Sequence, residues 1–180
     1  MSNTLIALDV ILIGVVLASA ILDLRTRRIP NWLTVSALGV ALLVRLPMGG
    51  DALLTGLAAA AVAFLITLPF FALGGLGGGD VKLLTAVGAF LGMDRLWGAL
   101  FVTAVAGGVF ALFTIIRRRR FKETAWNFYM ISKKLPKRSS YAGWKQDNGD
   151  GLNIRSAGAL TQPYGVAIAI GAIWAINPFF

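Results

Sequence analysis

Two aspartates carry the most distinctive surroundings in the chain. Asp23 is followed by Leu24-Arg25-Thr26-Arg27-Arg28-Ile29-Pro30-Asn31, and Asp80 closes the run Gly74-Gly75-Leu76-Gly77-Gly78-Gly79 ahead of Val81-Lys82. The 180 residues contain no cysteine and no histidine. That excludes disulfides, thiolate zinc sites, Ser-His or Cys-His nucleophiles and HExxH metalloprotease chemistry within them. A carboxylate pair is the minimum equipment for peptide hydrolysis without a metal, a cofactor or a covalent intermediate. Two carboxyl groups close together cannot both ionise, so one keeps a proton. The ionised group takes a proton from water; the protonated one polarises the scissile carbonyl and later protonates the departing amine. Such a pair titrates as a unit, so the sequence does not say which aspartate is the base.

The elements that must position this pair are apolar. The chain is 57% hydrophobic and only 14% charged, against roughly a quarter charged in soluble domains. Its apolar residues fall in six stretches, and a membrane-spanning helix takes about 20 residues, with shorter spans tolerated. The expectation is an all-α, polytopic membrane protein forming a single domain over 1–180. Its six transmembrane helices run over 4–22, 30–46, 52–73, 81–93, 97–116 and 161–178. Arg25, Arg27 and Arg28 mark the first link as cytoplasmic, because basic residues concentrate in cytoplasmic loops. Alternation then puts both termini outside and the long basic loop 117–160 inside. It also brings the glycine-rich link and Asp80 to the same cytoplasmic side as Asp23. The loop begins Arg117-Arg118-Arg119-Arg120 and mixes lysines with Trp126, Phe128 and Tyr129. A basic, aromatic stretch beside a membrane helix lies on anionic lipid headgroups; nucleic acid is not the expected partner.

The glycines suit a site at membrane depth. Irregular backbone there is tolerated where it is buried in protein or lines a wet cavity, and glycine lets a second backbone approach closely. Asp80 to Asp94 is about 21 Å at the helical rise, shorter than the roughly 30 Å hydrocarbon slab, which sets Asp80 in a dip open to the cytoplasm. Each aspartate has a structural explanation on its own: Asp23 as a helix-end charge paired with Arg27, Asp80 as the N-cap of the next helix. Their joint placement beside the glycine run favours chemistry. Asp9, Asp51, Asp94 and Glu123 are expected to be structural or solvated.

The two motifs together resemble the type IV prepilin peptidases. That family carries one aspartate before a basic stretch and Ile-Pro and a second within GxGD, here Gly77-Gly78-Gly79-Asp80. The late Gln162-Pro163-Tyr164-Gly165-Val166-Ala167 is also similar to the last helix of these enzymes. The resemblance implies cleavage of the basic leader from prepilins at the cytoplasmic face of the inner membrane, with the pilus assembly machinery as a further partner. It implies Asp23 and Asp80 as catalytic residues, with Arg25, Pro30, Asn31, Gly77, Gly79 and Lys82 in support. The compact form resembles the peptidases of tight-adherence (Flp) pilus systems. Longer family members carry a cytoplasmic region with paired cysteines and also methylate the new N-terminus, an activity not expected here.

Two other readings stand beside this one. A presenilin-like intramembrane protease shares the chemistry, but Leu22 precedes Asp23 where that group has tyrosine, and Gln-Pro-Tyr-Gly replaces Pro-Ala-Leu. A non-enzymatic secretion-complex or transport subunit would use the Gly-interrupted link as a broken helix.

Overall fold

A computed structural model of the protein describes residues 2–73, 75–117 and 164–176. The described residues are helical, with no strand among them. The helices are α1 (Ser2–Thr26), α2 (Asn31–Arg45), α3 (Gly50–Ala72), α4 (Gly78–Arg117) and α5 (Tyr164–Ile176), with a short 3-10 turn, Leu46–Met48, after α2. The first four are long and apolar enough to cross a membrane; α5 is apolar but shorter. The expected loop 117–160 lies outside the described residues beyond Arg117, as do Gln162 and Pro163.

Three differences from the expected boundaries have a clear local reason. The first helix runs past residue 22 to Thr26, whose Oγ1 donates to the Leu22 carbonyl at 2.8 Å. It stops where Arg27 turns left-handed (φ 52°) and its N–H returns to the Asp23 carbonyl at 2.8 Å. That is the single-bond αL end of a helix, with arginine in the place glycine usually takes. The helix expected at 81–93 begins earlier, at Gly78, because Gly77 supplies its cap. The expected link at Asp94-Arg95 is helical instead. The break falls at Gly92 (φ 74°, ψ 178°), a backbone region open in practice to glycine alone.

Between Gly78 and Gly92, α4 is the centre of the bundle. Val81, Leu83, Leu84, Ala86, Val87, Ala89, Phe90 and Leu91 are all buried, and a helix apolar all round belongs inside. Leu8, Leu12 and Val16 of α1 and Ile168 and Ala172 of α5 join it in one core. Lipid is as apolar as leucine, so helices in a membrane gain from close packing rather than from leaving water. Small residues provide it. A Cβ on Gly88 would lie 2.7 Å from the Ala59 carbonyl of α3, and one on Gly98 would lie 2.8 Å from the Trp174 ring of α5. This body comprises Met1–Val109 and Thr161–Phe180. Phe110–Leu160 forms a second unit, described only in the helical end of α4, where Thr114 Oγ1 donates to the Phe110 carbonyl at 2.8 Å.

Candidate active site

Asp23 lies in the last turn of α1 and is 6% exposed. Its Oδ2 accepts the Gly165 N–H at 2.8 Å. Gly165 is the second residue of α5, so this N–H has no partner within its own helix, and the positive end of the helix dipole favours an anion. A Cβ on Gly165 would sit 3.0 Å from both Cβ and Oδ2 of Asp23, so the close approach of α5 depends on glycine.

Asp80 is the third residue of α4 and half-buried. Its Oδ2 accepts the Gly77 N–H at 3.1 Å, while the Asp80 and Val81 N–H groups return to the Gly77 carbonyl at 3.1 and 3.2 Å. An N3 acid reaching back to the N-cap amide is half of a capping box. The two aspartates come from different helices to one end of the bundle. Asp23 lies near enough for its charge to act on the Asp80 carboxyl group, and Arg27 acts in turn on Asp23.

The residues around the aspartates join the two motifs. A Cβ on Gly79 would meet the Ile29 Cβ at 3.1 Å and the Ile29 carbonyl at 3.2 Å, so the chain between α1 and α2 crosses the start of α4 where a side chain is missing. Pro30 caps α2 from an extended conformation (φ −69°, ψ 139°), and its carbonyl accepts the Leu33 N–H at 3.2 Å. Lys82 Nζ donates to Asn31 Oδ1 at 2.8 Å. Arg25 is exposed, and no hydrogen bond or ion pair joins it to either aspartate among the described residues. No cluster of three acidic, histidine or cysteine side chains suited to a metal occurs among the described residues.

Sequence reasoning left two contributors without a role. One is the Tyr164-Gly165 pair, whose signal was a glycine in the first turn of an apolar helix. The other lies at the far end of the bundle. Arg45 is 5% exposed and donates to the carbonyls of Ala89 (2.7 Å), Phe90 (3.0 Å) and Ala52 (2.8 Å). The break at Gly92 takes helical partners from carbonyls of the preceding turn, and Arg45 serves two of them. Asp9, expected to be structural or solvated, pairs with Arg95 at 2.9 Å at that same end.

The chain is 30% identical over 112 residues to the "prepilin leader peptidase/N-methyltransferase" of Bacillus subtilis (strain 168), a match covering 61% of this chain and 45% of the relative. The chain thus spans less than half the length of the curated relative it matches. No solved structure matches it at a significant level. The family model described as "type IV leader peptidase family" matches residues 10–112. That match takes in both aspartate motifs, and this multi-pass helical chain belongs to the type IV leader peptidase family.

Proposed function

We propose that the chain is an aspartic prepilin leader peptidase, which hydrolyses the bond after the basic leader of type IV or Flp-type prepilins with Asp23 and Asp80. One observation carries the reading. Two carboxyl groups from distant parts of the chain come to one end of a membrane bundle, where Ile29 crosses Gly79, each fixed on one oxygen by a backbone N–H at a helix start. Family membership and the name of the relative support the substrate class.

In the proposed reaction, one carboxylate takes a proton from a water held between the two groups. The water oxygen adds to the scissile carbonyl, whose oxygen the protonated carboxyl group polarises. The tetrahedral intermediate collapses as the amine receives a proton and leaves. The glycines at 77 and 79 make room for the Asp80 carboxyl group and for Ile29, and the Lys82–Asn31 bond ties the start of α4 to the start of α2.

The proposed topology counts α4 as two crossings that meet at Gly92, which makes six in one domain with the aspartates facing the cytoplasm of the inner membrane. The basic segment beyond Arg117 would rest on anionic headgroups, and the mature pilin would pass to the assembly machinery. The proposal covers the peptidase reaction only.

Asp23→Asn and Asp80→Asn keep side-chain shape and remove the acid. Each is expected to slow leader removal by roughly 10³-fold or more in cells co-expressing a prepilin, read as the gel shift of the pilin, with membrane insertion unchanged. Normal processing by either variant refutes the reading.

A further inference from the structure

We propose that Asn31 and Lys82 are positioning residues of the aspartate pair: their hydrogen bond closes a braced path along the chain from Asp23 to Asp80 and so sets where the two carboxyl groups stand relative to each other. The inference deepens the two-aspartate reading and rests on it.

The path starts at Asp23, and each step of it is held. The Arg27 N–H returns to the Asp23 carbonyl at 2.8 Å. Thr26 Oγ1 lies 2.8 Å from the Leu22 carbonyl and 3.0 Å from the Arg28 carbonyl, so the turn after α1 is tied back to the helix on both sides of Arg27. Buried Ile29 follows, against the bare backbone of Gly79, where a Cβ would lie 3.1 Å from the Ile29 Cβ and 3.2 Å from its carbonyl. Pro30 has its φ fixed by its ring, at −69°. Asn31 then opens α2, and its Oδ1 accepts from Lys82 Nζ at 2.8 Å. Gly79 and Lys82 flank Asp80 in the first turns of α4. The link between α1 and α2 therefore grips α4 at two points, one before Asp80 and one after it.

The two grips differ in kind. Ile29 on Gly79 is a steric contact, which limits how closely the link and α4 approach and resists their separation only by weak dispersion. The Lys82–Asn31 bond is directional and opposes separation. Together they hold the link from both directions. The choice of partners also suits the site. Lys82 is two residues from Asp80, and residues so spaced do not face each other on a helix. Its ammonium is held by a neutral amide, which fixes the cation without placing a third acid beside the pair. Both side chains are exposed, where a hydrogen bond exchanged against water adds little to net stability. The bond therefore acts on placement more than on the stability of the fold.

Asn31→Ala and Lys82→Met each remove one partner of the bond. In the full chain, assayed on a prepilin in detergent micelles, each is expected to lower kcat by roughly 10-fold, because a misplaced reacting group costs rate. KM should stay within about two-fold of the parent and the melting temperature within about 3 °C. The double variant should be no slower than either single one, at roughly 10-fold and not 100-fold, because both substitutions break the same bond. Lys82→Arg keeps a donor for Asn31 Oδ1 and should recover kcat to within about three-fold. A slow Lys82→Met beside an Asn31→Ala with the parent rate overturns the inference, since the lysine would then act by its charge and not through the bond. Additive losses in the double variant, a loss confined to KM, or a loss of rate that only follows a large fall in melting temperature overturn it as well. Asp23→Asn and Asp80→Asn run alongside. If they are inactive while Asn31→Ala and Lys82→Met behave as the parent, this inference alone fails; if they cleave normally, the two-aspartate reading fails with it.

Discussion

The two ends of the bundle treat charge in opposite ways. At one end the Arg45 guanidinium is buried and uses Nε, Nη1 and Nη2 on three backbone carbonyls. At the other, Asp23 and Asp80 each hold one hydrogen bond on Oδ2 among the described residues, although a carboxylate offers about four acceptor sites. The arginine is matched to groups that the break at Gly92 would leave unpaired, so its charge is consumed by the fold. The aspartates are anchored but unsaturated, and the proposed function assigns their remaining lone pairs to water and a peptide. Under the proposed function the same bundle holds one charge for architecture and two for chemistry, and the count of satisfied partners distinguishes them.

The strongest way to break this comparison is at the saturated end. Arg45→Ala would strand the carbonyls of Ala52, Ala89 and Phe90, and Gly56 and Gly92, which pack against the guanidinium, would face a void. The expected loss is about 3 kcal/mol or more, seen as a large fall in melting temperature in detergent micelles. Arg45→Lys should fall between, since a lysine ammonium cannot reproduce the planar fork. Asparagine at either aspartate should leave melting almost unchanged. An Arg45→Ala protein as stable as the parent would mean the arginine is not architectural, and the contrast would vanish.

Much of the aspartate end was legible in the sequence because its signals are local. A glycine run, two acids in a chain with eight, and basic residues beside an apolar stretch can all be read without a fold. The pairing of Ile29 with Gly79 and of Asn31 with Lys82 was not legible as contact, since each joins residues some fifty positions apart. The arginine end was not legible. Arg45 stood without a role at the end of the expected helix 30–46, and its burial follows from a break two helices later in the chain. The break itself was placed at Asp94-Arg95 on polarity, but backbone freedom decided it and put it at Gly92. Gly165 carried a motif without a role, because its function is to bring a helix N-terminus onto an aspartate from the other end of the sequence.

At the unsaturated end the comparison sharpens through Gly165→Ala. The added Cβ would sit 3.0 Å from the Asp23 Cβ, which is fixed to the last turn of α1, so α5 or α1 must shift by a few tenths of an ångström. The fold can absorb such a shift, but a reacting geometry does not, and small misplacements cost up to about 10²-fold in rate. Leader cleavage is therefore expected to fall by roughly 10- to 100-fold, with a melting temperature within a few degrees of the parent. If instead stability fell as far as in Arg45→Ala while cleavage persisted, the aspartate end would be the architectural one.

The smallest effect tests whether charge at the arginine end matters when it is not buried. Asp9 and Arg95 pair at 2.9 Å with side chains 21% and 29% exposed, and partly exposed pairs contribute about 0–1 kcal/mol. Asp9→Asn should lower the melting temperature slightly, and the difference should shrink in high salt, which screens exposed charges. Leader cleavage should be unchanged, because Asp9 lies about 21 Å along α1 from Asp23 at the helical rise. A large loss of activity in Asp9→Asn, with stability intact, would tie the far end to the chemistry and erase the division of labour between the two ends.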